Sequence, residues 1–262
     1  MKILIHQFAV DRDPDENLRT VEEGVLRAKA EGARLLLLPE GIISRDPNNP
    51  DSTAAGAQAL DGPFVSGLTE LSKHGVAIAA TVHIFSGDER AWNVGIVCDA
   101  GKLIHSYYKL HLYDAFKAKE SDRVAPGSDL PGTFVLDGVT FGMLTCYDIR
   151  FPEPARRLAI DGAEVLLLPA AWVRGPLKEH HWRTMVTARA LENTVYVAAA
   201  GECGMTNCGL SMAVDPLGVV IASAAEAPQS IAVEIAPERI KHARSVLPVL
   251  ANRRFADPAL LT

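Results

Sequence analysis

The sequence predicts a single layered α/β domain, with two β-sheets face to face and helices on their outer surfaces. Three observations carry this. Segments that read as strands outnumber helices, and several are apolar throughout, which requires cover on both faces. A strand–helix–strand unit occurs twice, because Gly32-Ala33-Arg34-Leu35-Leu36-Leu37-Leu38-Pro39 is echoed by Gly162-Ala163-Glu164-Val165-Leu166-Leu167-Leu168-Pro169. A chance recurrence of a common helix–Gly–strand pattern is the alternative reading of that echo. Finally, no linker rich in Ser, Gly or Pro divides the 262 residues, a length that can bury a sizeable core as one domain.

Each element follows from local signals. Ile3 to Val10 reads as a strand, ended by Asp11-Arg12-Asp13-Pro14. Asp13 suits a helix N-cap, with Pro14 at the first helical position and Glu16 placed to close a capping box. Leu18, Val21, Val25 and Ala28 recur at three- and four-residue steps, the apolar stripe of a helix that Gly32 ends. Leu35 to Leu38 form a strand stopped by Pro39, with Glu40 at its exit. Further strands are expected at Val76–Phe85, Asn93–Cys98, Leu103–Tyr108, Val139–Thr145, within Gly162–Pro169, and at Val195–Ala200, Gly209–Val214, Val219–Ala222 and Ile231–Ile235. Helices are expected at Phe64–Lys73, Pro152–Ile160, Leu177–Glu192 and Pro237–Val246. Leu110–Gly132 is the expected long loop, and a long loop in a compact domain is usually functional.

Composition narrows the partners. A formal net charge of -6 provides no cationic field for nucleic acid or an anionic membrane surface. No apolar run approaches the roughly 18 residues of a spanning helix, and the first residues turn polar too soon for a signal peptide. Four cysteines are too few for a disulfide scaffold in a chain of this length, which points to reduced thiols and a cytoplasmic setting.

Three ionisable residues stand at three strand ends. Cys146 leaves an apolar strand just before a turn into a helix, as a nucleophile elbow presents its attacking atom. Backbone N–H groups at such a turn face outward and can hold an oxyanion. A buried cysteine can equally be a small hydrophobe, but the polar flank Tyr147-Asp148-Ile149-Arg150 is unlike a plain core. Glu40 is either a solvated turn residue or the base that a thiol requires. Lys109, closing Leu103–Tyr108, would alone be a solvated lysine. Together at strand C-termini, where α/β sheets gather their sites, nucleophile, base and cation make the set that acyl transfer from an amide needs.

Leu38-Pro39-Glu40, Tyr108-Lys109-Leu110-His111-Leu112-Tyr113-Asp114 and Leu144-Thr145-Cys146-Tyr147-Asp148-Ile149-Arg150-Phe151-Pro152-Glu153 resemble the signature segments of the nitrilase, or carbon–nitrogen hydrolase, superfamily. The resemblance spans essentially the whole chain and keeps the order Glu, Lys, Cys. It implies an α-β-β-α sandwich that forms a homodimer, and a Glu-Lys-Cys site with neither metal nor organic cofactor. It also implies a second glutamate after the lysine, for which Glu120 matches best. Segments 109–116, 169–182 and 199–204 are most similar to the Nit branch. That branch implies a small-molecule amide substrate carrying carboxylates: N-(4-oxoglutaryl)-L-cysteinylglycine, hydrolysed to 2-oxoglutarate and cysteinylglycine as a metabolite-repair step. An ω-amidase acting on 2-oxoglutaramate, or another amidase or N-carbamoyl hydrolase, is the alternative.

In the mechanism so implied, Glu40 takes the Cys146 proton, Lys109 and the Tyr147 N–H stabilise the oxyanion, and Glu120 orients Lys109. Carboxylates on the substrate call for cations near Cys146. Arg150 and Arg174 lead the candidates, with Lys178 and Arg183 behind them. The plainer alternative has Arg150 tying loops together and Lys178 and Arg183 on a solvated helix face. Trp172 and Trp182 either line the pocket or pack at a subunit interface. His180 and His181 point about 100° apart on a helix, and Cys203 and Cys208 lack zinc spacing, so both pairs read as packing. A binding protein that kept the fold without turnover is the competing class, and intact Glu40, Lys109 and Cys146 argue against it.

Overall fold

The computed structural model describes residues 1–49, 51–116 and 118–261. Strand β1 (Lys2–Gln7), helix α1 (Pro14–Ala30) and strand β2 (Leu35–Leu37) form the first strand–helix–strand unit, and its strands are parallel. A short helix α2 (Ser52–Ala55) and helix α3 (Pro63–Leu71) lead to β3 (Ala77–Phe85), parallel to β2. Antiparallel strands β4 (Ala91–Asp99) and β5 (Lys102–Tyr108) follow, and the short β6 (Val124–Ala125) pairs with the start of β4. The second half runs β7 (Thr133–Leu136), β8 (Val139–Met143), α4 (Pro152–Ile160), β9 (Val165–Ala170), α5 (Lys178–Asn193) and β10 (Tyr196–Gly201). It closes with β11 (Met212–Val214), β12 (Val220–Ser223), β13 (Gln229–Glu234) and α6 (Pro237–Val246).

One sheet has the order β13-β1-β2-β3-β4-β5 with β6 beside β4, and the other the order β12-β11-β10-β9-β8-β7. The two repeated units therefore lie in different sheets, β1-α1-β2 in the first and β8-α4-β9 in the second, each a parallel pair crossed by a helix. The leucine run shows why four layers form. Leu35 and Leu37 pack with Ile3, Ile5, Phe141, Met143 and Leu167 between the sheets. Leu36 and Leu38 face the other way, onto Val21, Val25, Phe64 and Leu68 of α1 and α3. In the second sheet, Leu166 and Leu168 meet Leu158 of α4 and Val186 of α5. Alternating side chains on a strand covered on both faces produce this split, and the result is the expected α-β-β-α sandwich.

Local details depart from the sequence reading. The first strand stops at Gln7. The Asp13 carboxylate does cap α1 through the Asp15 N–H, but Glu16 does not close a capping box. Asp11 takes the Asp13 N–H at 2.9 Å instead, and Glu16 pairs with Arg19. Strand β7 was missed, although Asp137-Gly138, with φ of 48° and 81°, is the left-handed pair that a two-residue hairpin turn demands. The 110–132 loop carries a short 3-10 turn at Glu120–Asp122 as well as β6, and its position 117 lies outside the described residues.

Candidate active site

Glu40 lies just past β2, Lys109 directly after β5 and Cys146 just past β8. The structure brings all three to the wall of one cavity of about 510 Å³, together with Glu120. Lys109 is 2% exposed, and its Nζ donates to Glu40 Oε1 at 3.0 Å and to both Glu120 carboxylate oxygens at 2.9 Å. Asn93 Nδ2 donates to the same Glu40 oxygen at 2.8 Å, while the Ala171 N–H donates to Glu40 Oε2 at 2.7 Å. The Tyr113 N–H holds Glu120 at 2.6 Å. Glu40 is thereby held from three segments and Glu120 from residues 109–113, and the ammonium between them is shared.

Electrostatics decide the resting protonation state. Burial alone would raise the Glu40 carboxyl, but Lys109 and then Arg45 outweigh it and hold it down at about 2. Burial pulls Lys109 downward, yet Glu120 and Glu40 lift it well above the ordinary lysine range. Cys146 is pushed well above the ordinary thiol range, first by burial and then by Glu40. Lys109 favours the thiolate but does not prevail. The site therefore rests as neutral thiol beside carboxylate.

The turn that carries Cys146 is strained and braced. Cys146 has φ of 43°, a conformation that L-residues adopt at a cost, and opens a 3-10 turn, Cys146–Arg150. Asp148, fully buried, accepts the Thr145 N–H at 3.0 Å and the Tyr107 hydroxyl at 2.9 Å on one oxygen. Its other oxygen takes the His111 N–H at 3.1 Å and lies 2.8 Å from His111 Nδ1. Asp148 thus fastens the Cys146 turn to the segment bearing Lys109. At the other strand exit, Gly41 has φ of 69°, and a Cβ there would meet His83 Cε1 at 2.8 Å.

Of the expected cations, the structure brings only Lys178 to the cavity wall. Arg174 and Arg183 are exposed. Arg150 stacks its guanidinium 4.8 Å from the Trp172 ring and lies 3.3 Å from His181 Nδ1, away from the cavity lining. It joins side chains of different segments, as the plainer reading had it. Lys178 overturns the solvated-face reading: it is 3% exposed. Its position at the first residue of α5 turns it inward. The Tyr147 ring packs edge-on against Tyr113 at 5.1 Å, and its backbone N–H directly follows Cys146 in the chain. Trp172 lines the cavity, whereas Trp182 is core, its indole N–H bound to the Leu210 carbonyl.

Sequence reasoning missed Asn93, the Ala171 N–H, Arg45 and His83, all on the cavity wall. Asn93 and His83 were findable as polar residues inside otherwise apolar strands. Burial, then Arg45, holds His83 neutral down to about 3, and burial does the same for His6 and His105 at about 4. All three titrate near 6.5 when unfolded, so below that pH the unfolded chain binds more protons than the folded one. Stability is therefore expected to fall as pH drops from about 6.5 towards 4, by up to ~1.4 kcal/mol per pH unit for each histidine. Urea midpoints at pH 7, 6 and 5 check this, and equal midpoints at pH 7 and 5 would refute it.

The carbon-nitrogen hydrolase family signature matches residues 3–245. The chain belongs to the carbon-nitrogen hydrolase family. It is 45% identical over 262 residues, the whole of both chains, to the deaminated glutathione amidase of Escherichia coli O157:H7. Among solved structures of the family it is similar to a nitrilase-superfamily amidase from Nesterenkonia sp. AN1, with a TM-score of 0.84 and 27% identity over 97% of this chain and 94% of that one. That structure carries the acetamide moiety of fluoroacetamide covalently added at its active-site cysteine. A branch 10 nitrilase-superfamily member from Saccharomyces cerevisiae is similar too, with a TM-score of 0.85 and 27% identity over 97% of each chain.

Proposed function

We propose that this chain hydrolyses the amide of N-(4-oxoglutaryl)-L-cysteinylglycine to 2-oxoglutarate and cysteinylglycine through a thioester on Cys146, as a metabolite-repair amidase. The observation that carries the chemistry is the buried junction of Cys146, Glu40, Lys109 and Glu120 on one cavity. Full-length identity of 45% to an amidase named for this substrate supports the choice of amide. As the Cys146 sulfur bonds to the amide carbon, its proton passes to Glu40. The oxyanion is held by Lys109 and the Tyr147 N–H, and one such donor is typically worth ~3 kcal/mol. Glu40 then gives the proton to the departing amine, the C–N bond breaks and a thioester remains. Water, deprotonated by Glu40, attacks that thioester; the acid product leaves and the thiol regains its proton.

Glu120 acts as a positioning residue. Its grip on Lys109 through both carboxylate oxygens keeps the ammonium charged and aimed. No helix among the described residues is long and apolar enough to cross a membrane, and the four cysteines are free; these facts support a cytoplasmic setting, with a homodimer taken from the family resemblance. The reaction is tested by incubating the protein with N-(4-oxoglutaryl)-L-cysteinylglycine and with 2-oxoglutaramate and quantifying cysteinylglycine and ammonia. The proposal expects kcat/KM to be higher for the first. Ammonia release alone would replace it with the ω-amidase reading.

A further inference from the structure

Two cations of the cavity wall have no carboxylate within salt-bridge distance among the described residues. Lys178 donates from Nζ to the Tyr113 hydroxyl at 3.0 Å and sits 4.6 Å from the Trp172 ring centroid, 4.7 Å from that of Tyr113 and 5.1 Å from that of Phe116. Arg45 donates from Nη2 to the Glu40 backbone carbonyl at 2.9 Å, and its Nε is buried without a partner. The nearby acids are engaged elsewhere: Glu40 and Glu120 with Lys109, and Asp46 with Arg12 at 3.4 Å. Lys178 is buried and Arg45 half-buried, and holding a buried cation without an anion is costly unless a ligand supplies the anion. The cavity thus offers two positive groups on the same wall as the reacting thiol.

Resting on the reaction proposed above, we infer that Arg45 and Lys178 determine specificity by each taking one terminal carboxylate of the substrate. Glu40 must reach the departing amine to protonate it, and Arg45 is bonded to the backbone of Glu40. Arg45 is therefore assigned to the leaving-group end, where it takes the glycine carboxylate of cysteinylglycine. Lys178 enters through Tyr113, whose N–H holds Glu120 against Lys109. It is therefore assigned to the acyl end, where it takes the carboxylate of the 2-oxo acid. Aromatic faces around its ammonium strip water from that contact and strengthen it.

The test has a binding arm and a kinetic arm. Calorimetry on Cys146→Ala protein, with and without Lys178→Met or Arg45→Gln, measures affinity for 2-oxoglutarate and for cysteinylglycine separately. Lys178→Met is expected to weaken 2-oxoglutarate about 10- to 100-fold, and Arg45→Gln to weaken cysteinylglycine by a similar factor, the range set by a charge-assisted hydrogen bond. In turnover, Arg45→Gln should raise KM for N-(4-oxoglutaryl)-L-cysteinylglycine at least ~10-fold more than KM for 2-oxoglutaramate, whereas Lys178→Met should raise both. Unchanged affinities, or the two effects exchanged between the residues, would overturn the inference. Lys178→Gln and Arg45→Met stand in should either variant fail to fold. Wild-type protein that turns over neither amide would sink the proposed reaction, and the binding arm still decides the anchors.

Discussion

Cys146→Ala is expected to lower kcat/KM by at least ~10⁴-fold while the protein still folds, because it removes the sulfur on which the proposed thioester forms. The side chain is small, and its removal leaves Glu40 held by Asn93, Lys109 and the Ala171 N–H. A thermal scan beside the assay separates lost chemistry from lost folding. The strain at φ 43° adds a second expectation. Cys146→Gly should unfold at a higher temperature than Cys146→Ala, by about 1 kcal/mol in stability, since glycine adopts this conformation without a Cβ clash. Equal melting of the two variants would mean that the turn is unstrained.

Glu40→Gln should remove about 10³- to 10⁴-fold from kcat, because the amide can neither take the thiol proton nor return it to the amine. The variant also meets a donor conflict. Glu40 accepts from Asn93 and Lys109 on one oxygen and from the Ala171 N–H on the other, so whichever oxygen becomes NH₂ faces a donor. A stability loss of ~1–3 kcal/mol follows from that mismatch. The thiol should respond in the opposite sense. Glu40 is one of the groups that hold Cys146 above the usual range, so its neutralisation leaves Lys109 to favour the thiolate. Alkylation of Cys146 by iodoacetamide, followed against pH, should shift its midpoint downward in Glu40→Gln even as amide turnover collapses. An upward or absent shift would show that Glu40 does not set the thiol's protonation.

The layers and the meeting of Glu40, Lys109 and Cys146 were legible because each rests on a local signal. Four successive leucines can be buried only if both faces of the strand are covered, and Leu35–Leu38 divide between the inter-sheet core and the helices accordingly. Glu40, Lys109 and Cys146 were readable as chemistry at strand exits. What escaped were features made by distant segments meeting. The Ala171 N–H that fixes Glu40 is a backbone group and leaves no mark in the residue types. Lys178 looks like any helix-surface lysine until the approach of Tyr113 and Trp172 encloses it. Arg174, favoured from its place after an apolar run, points to solvent because the chain turns outward before α5 begins.

In the proposed reaction, a sulfur held as neutral thiol beside a carboxylate becomes the acyl carrier. Rapid acid quench during turnover of N-(4-oxoglutaryl)-L-cysteinylglycine, followed by peptide mass spectrometry, addresses it most directly. The expected result is a peptide containing Cys146 that is heavier by one 4-oxoglutaryl group, with the adduct discharged by hydroxylamine. Undiminished turnover with residue 146 never acylated, or the acyl group found on a different side chain, would contradict it.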